Sequence, residues 1–189
     1  MADNPDVGSA SLSFTDNISI TWKPVDYQPD DSHLALVNDS NEAFLRAVSA
    51  ISEFSKDVSE DAPVISQEIA RLDLKLNLLL DLVSQLIYQH SDIPAMSLVT
   101  VSSDGVEWLG EDLPDVGSTV FIQVYIQRGT PKPLCFYGKV VSTPEDSLAS
   151  RSRVTYLGLC GSAKTWLDKL IFRHHRREVA FKKSSNTKG

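Results

Sequence analysis

Between Ile65 and Leu86 the apolar residues fall at Ile65, Ile69, Leu72, Leu76, Leu79, Val83 and Leu86, alternately four and three apart without a break. This is a heptad repeat, with Ile69, Leu76 and Val83 at a and Ile65, Leu72, Leu79 and Leu86 at d. A helix of this period presents one seam to a partner over roughly 30 Å or more. A single compact domain has no need of such a seam, so the spacing predicts an oligomer. Further apolar residues widen the face: Leu80 and Ile87 at e, Leu82 at g, Leu78 at c and Leu74 at f. A strict dimer wants a narrow seam. A face this broad predicts three or four strands, or a second layer of helices, and a homotetramer is the expected state. The alternative is a helical hairpin packed within one chain.

The 189 residues suffice for one domain plus an accessory element. No run of 18 apolar residues occurs, so no membrane insertion is expected. The start, MADNPDVGSASLSF, lacks the basic and apolar regions of a signal peptide. Cys135 and Cys160 form neither a CxxC nor a metal-ligand cluster and read as free thiols of a cytoplasmic protein. The net charge is −7 but unevenly spread: residues 1–100 carry 16 acids and 5 bases, and residues 101–189 carry 9 acids and 13 bases. Arg173, Arg176 and Arg177 lie within the basic C-terminal stretch. They read either as a solvated surface or as docking residues for an acidic protein, a phosphate ligand or nucleic acid.

The period of the pattern divides the chain. Residues 1–10 are polar and expected to be disordered. Residues 11–23 alternate as a strand, with an interruption near Asp16-Asn17. A loop with Pro24 and Pro29 follows. A first helix is expected from Asp39 or Ser40, with Phe44, Leu45, Val48, Ile51 and Phe54 as its stripe. Pro63 can open the heptad helix, and the helical insertion spans 39–92. From Ser97 the period falls to two. Strands are expected at 97–102, around Val106 and Trp108, at 120–126, 134–142 and 153–160, with turns at Ser103-Asp104-Gly105 and Pro114–Gly117 and a connection at 128–133. Such spacing predicts a small antiparallel barrel in an α+β chain, interrupted after its first strand by two long helices. A closing helix should begin near Thr165 and Asp168, with Leu167, Leu170, Ile171 and His174 on one face, and residues 182–189 form a frayed tail.

The segments TVSSDGVEWL (100–109) and GSTVFIQVYI (117–126), followed by LDKLIFRHHRREVAF (167–181), resemble the PilZ-domain family, in order over 97–181 with the first strand near 11–23. The resemblance implies a split PilZ-like barrel and binding of cyclic di-GMP. The family's RxxxR segment would hold phosphates through planar guanidiniums, and its [Asp/Asn]-x-Ser-x-x-Gly turn would hold the guanine edge. Here Ser102 and Gly105 match the turn, but Thr100 stands at the Asp/Asn position, and no arginine precedes Arg46. The resemblance therefore implies the weak-binding or non-binding branch: bacterial adaptors that act through signalling partner proteins, as in type IV pilus or virulence systems. Ser102, Gly105, Arg151 and Arg153 are the candidate ligand contacts, equally readable as plain turn and strand residues.

No nucleophile-base order, zinc motif or phosphate loop occurs, so no enzyme activity and no cofactor are expected. Gly161 to Thr165 lacks a phosphate loop's glycines and reads as a helix start. His174 and His175 are adjacent and cannot share a metal as an i, i+4 pair would. His90 ends the heptads at an a position. Aromatic residues are sparse among the C-terminal bases and the N-terminal half is acidic, so DNA binding is the least favoured reading.

Overall fold

The computed structural model describes residues 12–54, 63–90, 93–126, 130, 132–141 and 151–186. The expectations for the N-terminal residues 1–10 and for the connection at Arg128 fall outside that set, and so do the side chains of Ile65 and His90.

Six strands form a closed, wholly antiparallel barrel: β1 (Ser13–Pro24), β2 (Ser97–Ser102), β3 (Gly105–Leu109), β4 (Thr119–Tyr125), β5 (Leu134–Val141) and β6 (Arg151–Leu157), in the order β1-β2-β3-β6-β5-β4. The closure rests on β1, which is long enough to serve two neighbours. Ser13 to Ile18 pair with β2, and Ser19 to Pro24 pair with β4. The expected interruption at Asp16-Asn17 is absent, because both residues stay in the ladder, opposite Val99 and Leu98. A polar residue had broken the apolar alternation without breaking the strand.

Alternation sets the interior. Val120, Ile122 and Val124 of β4 point inward with Val99, Val101, Val106, Leu134 and Val154, all essentially without exposure. Small β-branched side chains dominate because six strands enclose little space. Trp108 and Phe136 complete the core, and α3 (Gly161–Asn186) seals it with Leu167, Leu170 and Ile171. His174 lies on the same face and stacks on Phe14 at 4.3 Å between ring centroids.

Two helices leave the barrel after β1: α1 (Asp31–Phe54) and α2 (Pro63–His90). α1 starts eight residues before the expected Asp39. Its cap is Asp30, whose Oδ1 accepts the His33 N–H at 2.9 Å while its carbonyl accepts the Leu34 N–H at 3.0 Å. The bonds from His33 hold the Asp30 carboxyl below its ordinary pKa. Asp39 and Ser40, the cap candidates in sequence, lie inside α1, and the flanking Asn38 and Asn41 serve tertiary contacts. Asn41 is 2% exposed; its Nδ2 donates to the Cys135 carbonyl at 2.6 Å and its Oδ1 accepts the Cys135 N–H at 2.9 Å. Asn38 bonds the Gly158 carbonyl and the Cys160 N–H in the same way, at 2.9 and 3.1 Å. Gly158 has φ +61°, and a Cβ there would strike Leu34 of α1. These two amide clamps, with Phe44 and Leu45, fasten α1 across β5 and α3.

α3 starts at Gly161, at the head of the Gly161–Thr165 segment read as a helix start and ahead of the capping-box start expected at Thr165. Cys160 caps it, its carbonyl accepting the Lys164 N–H at 2.9 Å and its Sγ the Ala163 N–H at 3.5 Å. Thr165 lies inside the helix and donates to the Gly161 carbonyl at 2.8 Å. At the other end the helix runs on to Asn186, past the expected tail boundary at 182. Cys135 and Cys160 are free thiols, and burial pushes the Cys135 thiol above its usual pKa. Among the described residues, no helix is long and apolar enough to cross a membrane.

Candidate functional site

The β2–β3 turn is built by Ser102. Its Oγ accepts the N–H groups of Gly105 at 3.1 Å and Asp104 at 3.4 Å, and donates to the Gly105 carbonyl at 3.0 Å. The turn is also fastened to α3. Ser103 Oγ donates to Asp168 Oδ1 at 2.5 Å, and Lys164 Nζ meets Asp104 Oδ1 at 2.9 Å. The Asp104 bond raises the Lys164 pKa. Asp168 therefore holds the turn and is no helix cap.

Beside the turn lies an open cleft of about 230 Å³, lined by Ser13, Thr100, Ser102, Gly105, Val106, Glu107 and Arg153. Three of the four candidate ligand residues, Ser102, Gly105 and Arg153, thus meet in one place. Arg151 does not line it; its guanidinium pairs with Glu107 Oε1 at 2.7 Å. Glu107 lies directly opposite Arg153 across the β3–β6 ladder. Several lining residues have a structural reason to be there. A Cβ at Gly105 would stand 2.2 Å from the Val154 carbonyl oxygen, so glycine is required by the approach of β6 alone. Thr100 bonds Thr15 across the β1–β2 pair, Oγ1 to Oγ1 at 2.8 Å. Arg46 is remote from the cleft; it lies on α1 with its guanidinium 6.0 Å from the Trp166 ring centre.

The heptad residues form a second candidate surface. Ile69, Leu72, Leu76, Leu79, Val83 and Leu86 of α2 are all between 51% and 59% exposed. Leu74, Leu78, Leu80 and Leu82 are equally open, so α2 is apolar around most of its circumference. The described part of the α1 stripe, Phe44, Leu45 and Val48, packs into the barrel core; the side chains of Ile51 and Phe54 lie outside the described residues. Among the described residues, the alternative of a one-chain hairpin that buries the seam is not seen, since the heptad side chains stay exposed. The surface on α2 was legible from spacing; its separation from the barrel was not.

Of the three arginines on α3, one faces inward. Arg173 Nη2 donates to Ser49 Oγ at 2.7 Å and its Nη1 to the Val48 carbonyl at 3.4 Å, tying α3 to α1. A partly buried guanidinium needs such acceptors, and α1 supplies them. Arg176 and Arg177 remain exposed. Sequence reading counted Lys169 among the C-terminal bases but missed its partner Trp166, whose ring centre lies 4.0 Å from the Lys169 Nζ. The i, i+3 spacing could have found this pair. Among the described residues no group of His, Cys, Asp or Glu could hold a metal ion.

Barrel, turn and closing helix together define a small closed antiparallel barrel domain with a long helical insertion. The chain belongs to the atypical PilZ domain family: the family's model, described as "atypical PilZ domain, cyclic di-GMP receptor", matches residues 45–184. Among solved structures, the fold is similar to a protein from Xanthomonas campestris described as a tetrameric PilZ domain self-assembled through an unusual helical bundle. The TM-score is 0.70 at 19% identity, covering 91% of this chain and 92% of that one. No curated protein matches significantly.

Proposed function

We propose that this protein is a non-enzymatic, cytoplasmic bacterial adaptor that self-assembles through α2 into a tetramer and acts through protein partners, with weak or no cyclic di-GMP binding of its own. The exposed heptad face of α2 carries the reading. Water contact along this whole face is unfavourable, and association of several copies relieves it. The tetrameric, bundle-assembled neighbour of the same fold supports four as the number. Four barrels on one stalk multiply avidity for a repeated or oligomeric partner, such as a pilus-related assembly.

The ligand reading rests on the donors in the cleft. A dinucleotide with two phosphates calls for matched cations, and the cleft offers Arg153 opposed by Glu107, with Arg151 already paired to the same carboxylate. Ser102 spends its hydroxyl within its own turn. Calorimetry with cyclic di-GMP should therefore show no binding, or a Kd weaker than about 10 µM, equivalent to about −7 kcal/mol. A sub-micromolar Kd would instead support a direct cyclic di-GMP effector using Arg151 and Arg153, the second reading favoured by the cleft itself. Light scattering on the same sample should give about four chain masses, and a concentration-independent monomer defeats the assembly part.

A further inference from the structure

The exposed face of α3 carries aromatic rings interleaved with cations. Lys169, Phe172 and Arg176 follow at i, i+3 and i+7, so they share one side of the helix, and all three are exposed. Phe172 is 53% exposed although its ring is large and apolar. Arg176 lies with its guanidinium carbon 5.9 Å from the Phe172 ring centre, and Lys169 lies over Trp166. Arg46 of α1 also lies over Trp166, its guanidinium carbon 6.0 Å from the ring centre. Its nearest carboxylate, Glu42, is 3.6 Å away and also accepts from Ser162. Three cations thus lie against two rings.

We infer that this face is a docking site for an acidic segment of another protein, one that carries an apolar or aromatic anchor for Phe172 and Trp166. The inference rests on the adaptor reading and names where and what such an adaptor binds. The charge pattern selects this occupant. The chain is net −7, yet this helix face is cationic, so an acidic ligand is attracted here and repelled by the acidic N-terminal half. Cations held against rings keep their charge while covering part of the apolar surface, so the face stays soluble when empty. A phosphate polymer would use the cations and leave Phe172 without a partner; an acidic peptide with an apolar anchor uses both. A second copy of this chain has its own apolar seam on α2 and no need of this surface. Arg173 is not part of the face, since it is bonded to α1.

The test uses the full-length protein and a fluorescein-labelled 14-residue peptide of alternating Glu and Gly with a central Leu-Phe pair. Controls are the same peptide with Gln for Glu, a duplex DNA of equal length, and vesicles containing phosphatidylglycerol. Fluorescence anisotropy should show saturable binding of the acidic peptide only. Lys169→Glu with Arg176→Glu should weaken it by about tenfold or more, and Phe172→Ser by about fivefold. Lys169→Gln, which keeps the helix, should weaken it about threefold, with oligomer mass and far-UV circular dichroism unchanged in every variant. Raising salt from about 50 to 200 mM should change the affinity only a few-fold, against orders of magnitude for a polyphosphate ligand. Absence of peptide binding, equal binding of the Gln peptide, insensitivity to the charge reversal, or tighter binding of DNA or vesicles overturns the inference. Those outcomes leave oligomer mass and cyclic di-GMP calorimetry untouched, so the adaptor reading fails or survives on separate measurements.

Discussion

Replacing Leu72 and Leu79 by Asp should break the assembly and spare the barrel. Both leucines occupy d positions, at 58% and 57% exposure in the single chain. Complete burial of a leucine is worth about 1.5–3 kcal/mol, and slightly more than half of each side chain remains to be covered. Each leucine thus contributes roughly 1–1.5 kcal/mol to association, and eight sites in a tetramer roughly 8–12 kcal/mol. The substitution removes this and also forces eight carboxylates into the seam, each at several kcal/mol unless neutralised. Association cannot survive both losses. Light scattering coupled to size exclusion should fall from about 83 kDa, four times the 20.8 kDa chain, to the mass of one chain. The 28-residue α2 should also lose helicity, since a helix without packing is marginal in water. The barrel's near-ultraviolet dichroism should persist, because its core contains no α2 residue among those described. An unchanged mass would refute the seam assignment. Loss of the barrel signal along with the mass would refute the separation of stalk and barrel.

The amide clamps give a second measurement. Asn41→Ala leaves the Cys135 N–H and carbonyl without their partners and should cost about 2–4 kcal/mol in urea unfolding, two hydrogen bonds being lost at a buried site. Asn41→Asp should recover only the bond accepted from Cys135. Gly105→Ala should destabilise by about 1–3 kcal/mol through overpacking against Val154, whereas Ser102→Ala should leave cyclic di-GMP calorimetry as featureless as in the parent. His174 provides a pH dependence. Burial on Phe14 lowers its pKa, Arg177 and Arg173 add to this, and Asp16 opposes them. With the folded pKa below the unfolded value of 6.5, the unfolded chain binds the proton first. Stability is therefore full above that value, falls as the pH drops through it, and levels off below the folded pKa. His174→Phe should flatten the unfolding midpoint between about pH 7 and 5; an unchanged slope would contradict the assignment.

Periodicity alone determined much of this protein. The 4-3 spacing located α2, whose described heptad residues are open to solvent along its length, and period-two alternation located the strands whose inward residues fill the barrel. These are local facts: a side chain's direction follows from its position in a helix or strand, so burial can be read along the chain. Other features required the tertiary structure. Asp39 and Ser40 read as cap residues because short polar side chains usually serve the nearest backbone, but they lie inside α1; the neighbouring Asn38 and Asn41 reach partners at Cys135, Gly158 and Cys160, roughly 90 to 120 residues away. Asp168 read as part of a cap until the turn at Ser103 was brought against it. Arg151 and Arg153 are two residues apart and look alike in sequence, yet one pairs with Glu107 and only the other lines the cleft. Arg173, Arg176 and Arg177 likewise divide between an α1 contact and solvent. Sequence reports which chemical groups a segment carries, but which of them remain available depends on the distant acceptors and carboxylates that closure of the barrel brings beside them.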